Sequence, residues 1–494
     1  MFYRSLITPF FALFISVTSA TEVPIYDFPI KSYSQNVDDY LSPDSPDYTK
    51  PLVSSDYQAA QLKQFYNHYY STDAQALSPW SEQMIQAVIP TVKKIEFEII
   101  DGFDNQNKPD TKKHYAENFK EHDEVWLNQI RKNMDLAAFD ALTFNPENRA
   151  IAVNNTYARA LPEHAPDFYH FSLPGQGFPF DNLEESAIWA GTPLYVLSVS
   201  QDKAWSLVLT PDEYFAWVKS SDIAYASNKF VSQWQQAAQA GLVAITETDA
   251  SIVNKNQHFQ FTGYIGAVFP FASRDADFIT ILTPIKNEHQ QAVLTTSLVK
   301  ATSATLMPLT ATPKNMAGIM KQLQNRPYGW GGMFFFNDCS QELKSIFTPF
   351  AIWIPRNSGQ QAKVGTPINL SKNTVDERIN ALKEQGHPLM TIIYIGSHVM
   401  LYLGNKRINS QESIPMTYQN IWGMSPANKE SRYIIGQSLF FPLLKQYPEN
   451  FDLGSLANAP FFTLVQLDKL TDKKTSPQES MRHFTVPELP NMSL

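Results

Sequence analysis

The chain holds a single cysteine, Cys339, placed after a glycine-rich turn (Pro327-Tyr328-Gly329-Trp330-Gly331-Gly332) and the pair Asn337-Asp338. Cys339, Leu343, Ile346 and Phe350 fall on one helical face, which predicts a helix with the cysteine in its first turn and Asp338 at the cap. Free backbone N–H groups and the helix dipole at that position stabilise a thiolate, lowering its pKa from about 8.5. The adjacent Asp338 opposes that shift, so a partner base should assist. Two strand-like runs, residues 391–395 and 399–403, flank Gly396-Ser397-His398. Alternation puts His398, Met400 and Tyr402 on one face and Val399, Leu401 and Leu403 on the other. A histidine entering a strand points at a helix N-terminus packed beside it, the Cys–His arrangement of nucleophilic catalysis. A third group must orient the imidazole and fix its tautomer. Asn409 and Gln419 are both candidates, and spacing leaves the choice open. The bland alternative is a buried apolar cysteine, which the count alone favours, beside an ordinary structural histidine and a backbone-capping amide.

The elements that would position these groups change character along the chain. Residues 21–55, rich in Pro, Ser, Asp and Tyr, read as an extended lead-in. Residues 58–70, 81–92 and 124–142 carry apolar residues at helical spacing and predict a small helical domain. Short β-branched or aromatic runs follow at 195–199, 205–209 and 214–218, separated by turn residues such as Asp202-Lys203 and Pro211-Asp212. Strands at this spacing predict a small β-barrel. A helical stretch at 229–241 leads into a second strand-rich block, 242–309, with runs at 259–265, 278–282 and 292–298. The last block, from about 313 to 470, mixes helix, strands and long loops, and a polar tail occupies 471–494.

A length of 494 residues exceeds one hydrophobic core, so three or four domains are expected. Hydrophobic residues at 43% and charged residues at 18% read as globular. With a formal charge of −9 and no basic stripe, nucleic acid is not an expected partner. The aromatic content suits β-rich modules and sugar or peptide grooves, although core packing explains most of it. Met1-Phe2-Tyr3-Arg4, an apolar stretch over 6–17 and the small residues Thr18-Ser19-Ala20 together predict a secretory signal peptide over 1–20. No cysteine follows the cut, so no lipid anchor is expected, and no other run reaches the roughly 18 apolar residues of a membrane span. The mature protein is expected to be exported, to the periplasm. One cysteine forms no intrachain disulfide, and an unpaired thiol in an oxidising compartment is buried or used. No His/Asp/Glu cluster has metal-ligand spacing, so neither metal nor cofactor is expected.

Three stretches carry a resemblance: Tyr328-Gly329-Trp330-Gly331-Gly332 with Asp338-Cys339-Ser340; Ile354-Pro355-Arg356-Asn357-Ser358 with Gln361; and Ser397-His398-Val399-Met400-Leu401-Tyr402-Leu403-Gly404. Together they resemble the NlpC-like cell-wall cysteine peptidases. More narrowly, the chain is similar to their multidomain subgroup, in which a helical N-terminal domain and two bacterial SH3-like domains precede the peptidase. Phe178-Pro179-Phe180-Asp181, Gly191-Thr192-Pro193-Leu194, Asp202-Lys203-Ala204-Trp205 and residues 217–224 look like that subgroup's first SH3-like domain.

The resemblance implies an α+β chain: signal peptide 1–20, lead-in and helical domain 21–148, SH3-like barrels 149–228 and 229–312, a papain-like cysteine peptidase domain 313–470 and a polar tail 471–494. It implies Cys339 as nucleophile, His398 as general base, and Gln419 where many members carry a third-residue His. It places Tyr328 near the nucleophile, Asp338 and Ser340 at the bound substrate, and Tyr214 as candidate for a cleft wall that reads a free substrate amine. The implied reaction is hydrolysis of the γ-D-glutamyl–diamino acid bond in peptidoglycan stem peptides or muropeptides. Two departures stand out: Gln341 occupies the place of a glycine in most members, and the third position is not His. A Cys–His acyl- or amidotransferase and an inert wall-binding scaffold are the competing readings. An intact Cys339 and His398 weigh against the scaffold.

Overall fold

The computed structural model describes residues 24–470 apart from Pro174, Gln411 and Phe451. The expected signal peptide and polar tail lie outside the described residues.

Three helices open the chain: α1 (Ser55–Tyr69), α2 (Glu82–Gly102) and α3 (Glu124–Met134), each capped by a side chain, Ser54, Ser81 and Asp123 respectively. α2 runs well past the expected end at 92, carrying Pro90 inside it, because Val92, Ile95, Ile99 and Ile100 continue its buried stripe. α3 stops at Met134 rather than 142, since Asp135 turns left-handed at φ 50° and reverses the chain. α2 and α3 share one core with the first barrel, where Trp217 donates its indole N–H to the buried carboxylate of Glu96 at 2.9 Å.

That first barrel is a seven-stranded antiparallel sheet, ordered Ile223–Tyr225, Arg149–Ala152, Pro193–Val199, Trp205–Leu209, Phe215–Lys219, Thr156–Arg159, Glu184–Ile188. α4 (Asn228–Ala240) links it to a second seven-stranded barrel, built from strands between Leu242 and Leu306.

The last domain combines α5 (Pro313–Leu323), α6 (Cys339–Phe347), α7 (Ser358–Gln361) and α8 (Val375–Gln385) with a third seven-stranded sheet. Its order is Ile25–Asp27, Arg432–Pro442, Ser413–Met424, Val399–Arg407, Thr391–Tyr394, Thr463–Gln466, Ile368–Asn369. The alternation read at 399–403 separates two cores: Val399 and Leu401 join α5 and α6 on one face, Met400 and Tyr402 join α8 on the other. The lead-in is not a loose extension. Its first strand pairs in parallel with Arg432–Ile434, Val37 and Leu41 enter the α5–α6 core, and Gln35 hydrogen-bonds the Phe440 backbone on both its N–H and C=O at 2.9 Å. These first residues therefore clasp the last domain of the chain.

Candidate active site

Every residue of α6 is buried, polar ones included, so each polar side chain needs a partner inside the protein. Asp338 caps the helix, its Oδ1 accepting from the Gln341 backbone N–H at 2.9 Å. Arg356 grips the same carboxylate with two nitrogens, at 3.1 and 2.6 Å, donates to Ser340 Oγ at 2.8 Å, and reaches Ser186 Oγ of the first barrel at 2.8 Å. Gln341, the residue in place of glycine, is accommodated with its amide toward Ser345 Oγ at 3.4 Å. Glu342 accepts from Tyr418 Oη at 2.7 Å, Ser438 Oγ at 2.8 Å and Asn337 Nδ2 at 2.7 Å, fastening α6 to the central strands. Lys344 pairs with Asp212 of the first barrel.

The glycine turn explains how that barrel reaches the helix. A Cβ on Gly332 would come within 2.5 Å of the Ala187 backbone nitrogen, and Gly331 sits as tightly on Glu184. Gly331 and Gly332 both have positive φ, at 57° and 88°, so glycine answers a conformational and a steric demand at once. Trp330 adds an indole hydrogen bond to the Asp181 carbonyl at 2.9 Å.

Cys339 stands in the first turn of α6, as the spacing predicts. Its thiol points to the Ser397 carbonyl at 4.0 Å and receives the Val399 backbone N–H, so the sulfur lies against the two residues that flank His398. His398 is buried, with Nε2 2.6 Å from Gln419 Oε1. Gln419 is thus the partner of the imidazole. Asn409 is not: it lies on the exposed hairpin between Val399–Arg407 and Ser413–Met424, bonded to Glu412.

The expected lowering of the thiol pKa is overturned. Burial, then the Asp338 carboxylate, push the Cys339 thiol up to about 12, against smaller opposing effects of Arg356 and the Val399 and Ser340 backbone. Burial also lowers His398 to about 4, with Gln419 and Asp338 pulling the other way. Desolvation of both groups outweighs the helix-terminus effect, so thiol and imidazole rest uncharged at neutral pH.

Tyr328 lies half-buried beside Cys339, its phenol held above the usual range by burial and then by the sulfur and Asp338. Asp338 and Ser340 are tied to Arg356. Tyr214 lies at the site too: its hydroxyl donates to Glu185, and both groups stand within electrostatic reach of Arg356 and Asp338. Burial, foremost, raises Glu185 to about 7. Sequence reasoning passed over Glu185, Glu342 and the four-bond role of Arg356. Arg356 stood in a noted motif, whereas nothing in the spacing singles out the two glutamates. Among the described residues no group of His, Cys, Asp and Glu is arranged to hold a metal ion.

Residues 166–219 match the family SH3 domain (SH3b1 type), and residues 227–276 match the SH3 domain of SH3b2 type. No curated protein matches the chain in sequence. In structure the chain is similar to a NlpC/P60 endopeptidase from Photobacterium damselae subsp. piscicida, with a TM-score of 0.75 and 28% identity, over 90% of this chain and 99% of that one. A NlpC/P60 family protein from Bacillus cereus ATCC 10987 aligns over 62% of this chain and 98% of its own, with a TM-score of 0.40 and 16% identity. The chain therefore carries two bacterial SH3-type domains ahead of a papain-like domain with the architecture of an NlpC/P60 endopeptidase.

Proposed function

We propose that this chain is an exported cysteine endopeptidase of the periplasm that hydrolyses the γ-D-glutamyl–diamino acid bond of peptidoglycan stem peptides, acting on short fragments with a free N-terminal L-Ala. The observation that carries the reading is the sulfur of Cys339 at a buried helix start, against the residues on either side of a Gln419-held His398.

In the proposed reaction the thiol proton passes to the imidazole as sulfur attacks the γ-carbonyl carbon. A neutral resting pair couples this transfer to substrate arrival. The backbone N–H of Cys339 is the candidate donor to the oxyanion. Collapse of the tetrahedral intermediate breaks the C–N bond, and the imidazolium protonates the departing amine of the diamino acid. Water, deprotonated by His398, then attacks the thioester; the carboxylate leaves and the proton returns to sulfur.

Glu185 supports the amine-reading part. It is a carboxylate of the first barrel within electrostatic reach of the Asp338–Arg356 pair, bound by the Tyr214 hydroxyl, and once ionised it complements a substrate ammonium. Defined muropeptides incubated with the protein, with products read by mass spectrometry, test the bond assignment. Gln419→Ala is expected to lower the rate about 10- to 100-fold, the size of a lost orienting contact, and Asn409→Ala to leave it within twofold. The reverse order overturns the assignment of Gln419. If N-acetylated L-Ala-γ-D-Glu-diaminopimelate is cut as fast as the free peptide, the amine reading fails.

A further inference from the structure

An amide in the third position raises a problem a carboxylate avoids. Gln419 presents a carbonyl on one side and an NH2 on the other, and only the carbonyl accepts an imidazole proton. Flipped, its NH2 would face His398, drive the proton off Nε2 and leave Nδ1 protonated. Gln419 is fully buried and His398 nearly so, so bulk solvent does not make the choice.

The neighbouring bonds make the choice. Thr417, two residues earlier on the same strand and fully buried, has its hydroxyl 2.8 Å from the Phe441 carbonyl. A carbonyl only accepts, so the single hydroxyl proton of Thr417 points there. The same hydroxyl oxygen lies 3.1 Å from Gln419 Nε2 and is left to accept. The NH2 of Gln419 is therefore turned to Thr417 and its carbonyl to His398, which obliges Nε2 to carry the proton and leaves Nδ1 as the base. Residues 417 and 419 share a face of the strand Ser413–Met424, and Phe441 is the cross-strand partner of Thr417, so the relay is built into the sheet register.

We infer that Thr417 is a positioning residue that acts through Gln419, its hydroxyl relaying the Phe441 carbonyl into the tautomer of His398. The inference rests on the proposed Cys339–His398 chemistry for its kinetic consequence. Its structural content is independent of that chemistry.

The test uses the full chain. Thr417→Val keeps shape and strand propensity while deleting the hydroxyl; Thr417→Ser restores it. Imidazole 15N NMR of His398 is expected to show the Nε2–H tautomer in the wild type and in Thr417→Ser, and a tautomer mixture in Thr417→Val. With the γ-D-Glu-diaminopimelate peptide, Thr417→Val should lower kcat about tenfold with KM within twofold, and Thr417→Ser should recover most of it. Should Thr417→Val fail to fold, Thr417→Ala provides the same two readings. An unchanged tautomer in the folded hydroxyl-less variant overturns the inference, as does a Thr417→Ser variant as slow as Thr417→Val. A peptide left uncut by the wild type would contradict the proposed function, while the tautomers seen by NMR would still decide the role of Thr417.

Discussion

The two SH3-type barrels are alike in strand number and unlike in what they present to α6 and the segments around it. The first sends polar groups there: Ser186 to Arg356, Asp212 to Lys344, and the backbone of Glu184 and Ala187 to the glycine turn, with Tyr214 and Glu185 beside them. The second packs Ile265 into the α5–α6 core and Gly266 against Ser345, and its ion pair to the last domain, Asp249–Arg326 at 2.7 Å, has its carboxylate half exposed. Its long hairpin strands, Phe278–Lys286 and Ala292–Lys300, leave Ile285 and Val293 exposed. One barrel is a wall of the candidate site and the other a buttress, so substrate choice should respond to the first alone.

Breaking the joint between the wall and α6 should have the largest effect. Arg356→Met removes four hydrogen bonds and leaves Asp338 as a buried, unpaired charge beside the sulfur. Such losses destabilise by about 3–5 kcal/mol, read as a drop in urea midpoint, and kcat/KM should fall by two orders of magnitude or more. Arg356→Lys is expected to recover only part, because an ammonium lacks the two-pronged geometry.

Glu185→Gln should act more narrowly. KM for the free-amine peptide should rise about 10- to 150-fold, in line with one charge-assisted contact of about 1.5–3 kcal/mol, with the acetylated peptide unaffected. Glu185, raised to about 7, is neutral below that pH, so KM for the free amine should fall as pH rises through 7 in the wild type, until the substrate amine loses its proton at about pH 8, and Glu185→Gln should lack that fall. His398, lowered to about 4, remains a base well below pH 6.5, so the acid limb of kcat should lie near pH 4. An acid limb near 6.5 would show that its burial is relieved in solution.

Asp249→Asn in the second barrel should change least. Exposed ion pairs contribute about 0–1 kcal/mol, and kinetics toward both peptides should stay within twofold. A peptide-selective KM change there would erase the distinction between wall and buttress.

Much of this was legible in the sequence where local patterning decides. Helix starts, the short strands, the cap at Asp338 and the cysteine in the first turn follow from spacing and capping alone. The expected helix over 81–92 already ran past Pro90; its end fell short because the buried stripe continues through Ile95, Ile99 and Ile100. The thiol pKa was misjudged because a sequence shows the helix end and not the depth of burial, and at this site burial is the larger effect. Glu185 and Glu342 were unreadable for a related reason: their partners, Tyr214 and Tyr418, lie far away in sequence. The choice between Asn409 and Gln419 needed the strand register, which puts one on a hairpin tip and the other on the imidazole.

The role of Cys339 as nucleophile is most directly tested by Cys339→Ala against L-Ala-γ-D-Glu-diaminopimelate, with products followed by mass spectrometry and folding by thermal melt. The wild type is expected to release free diaminopimelate, and the folded variant to release none. A folded Cys339→Ala protein that still cleaves the peptide would contradict that role.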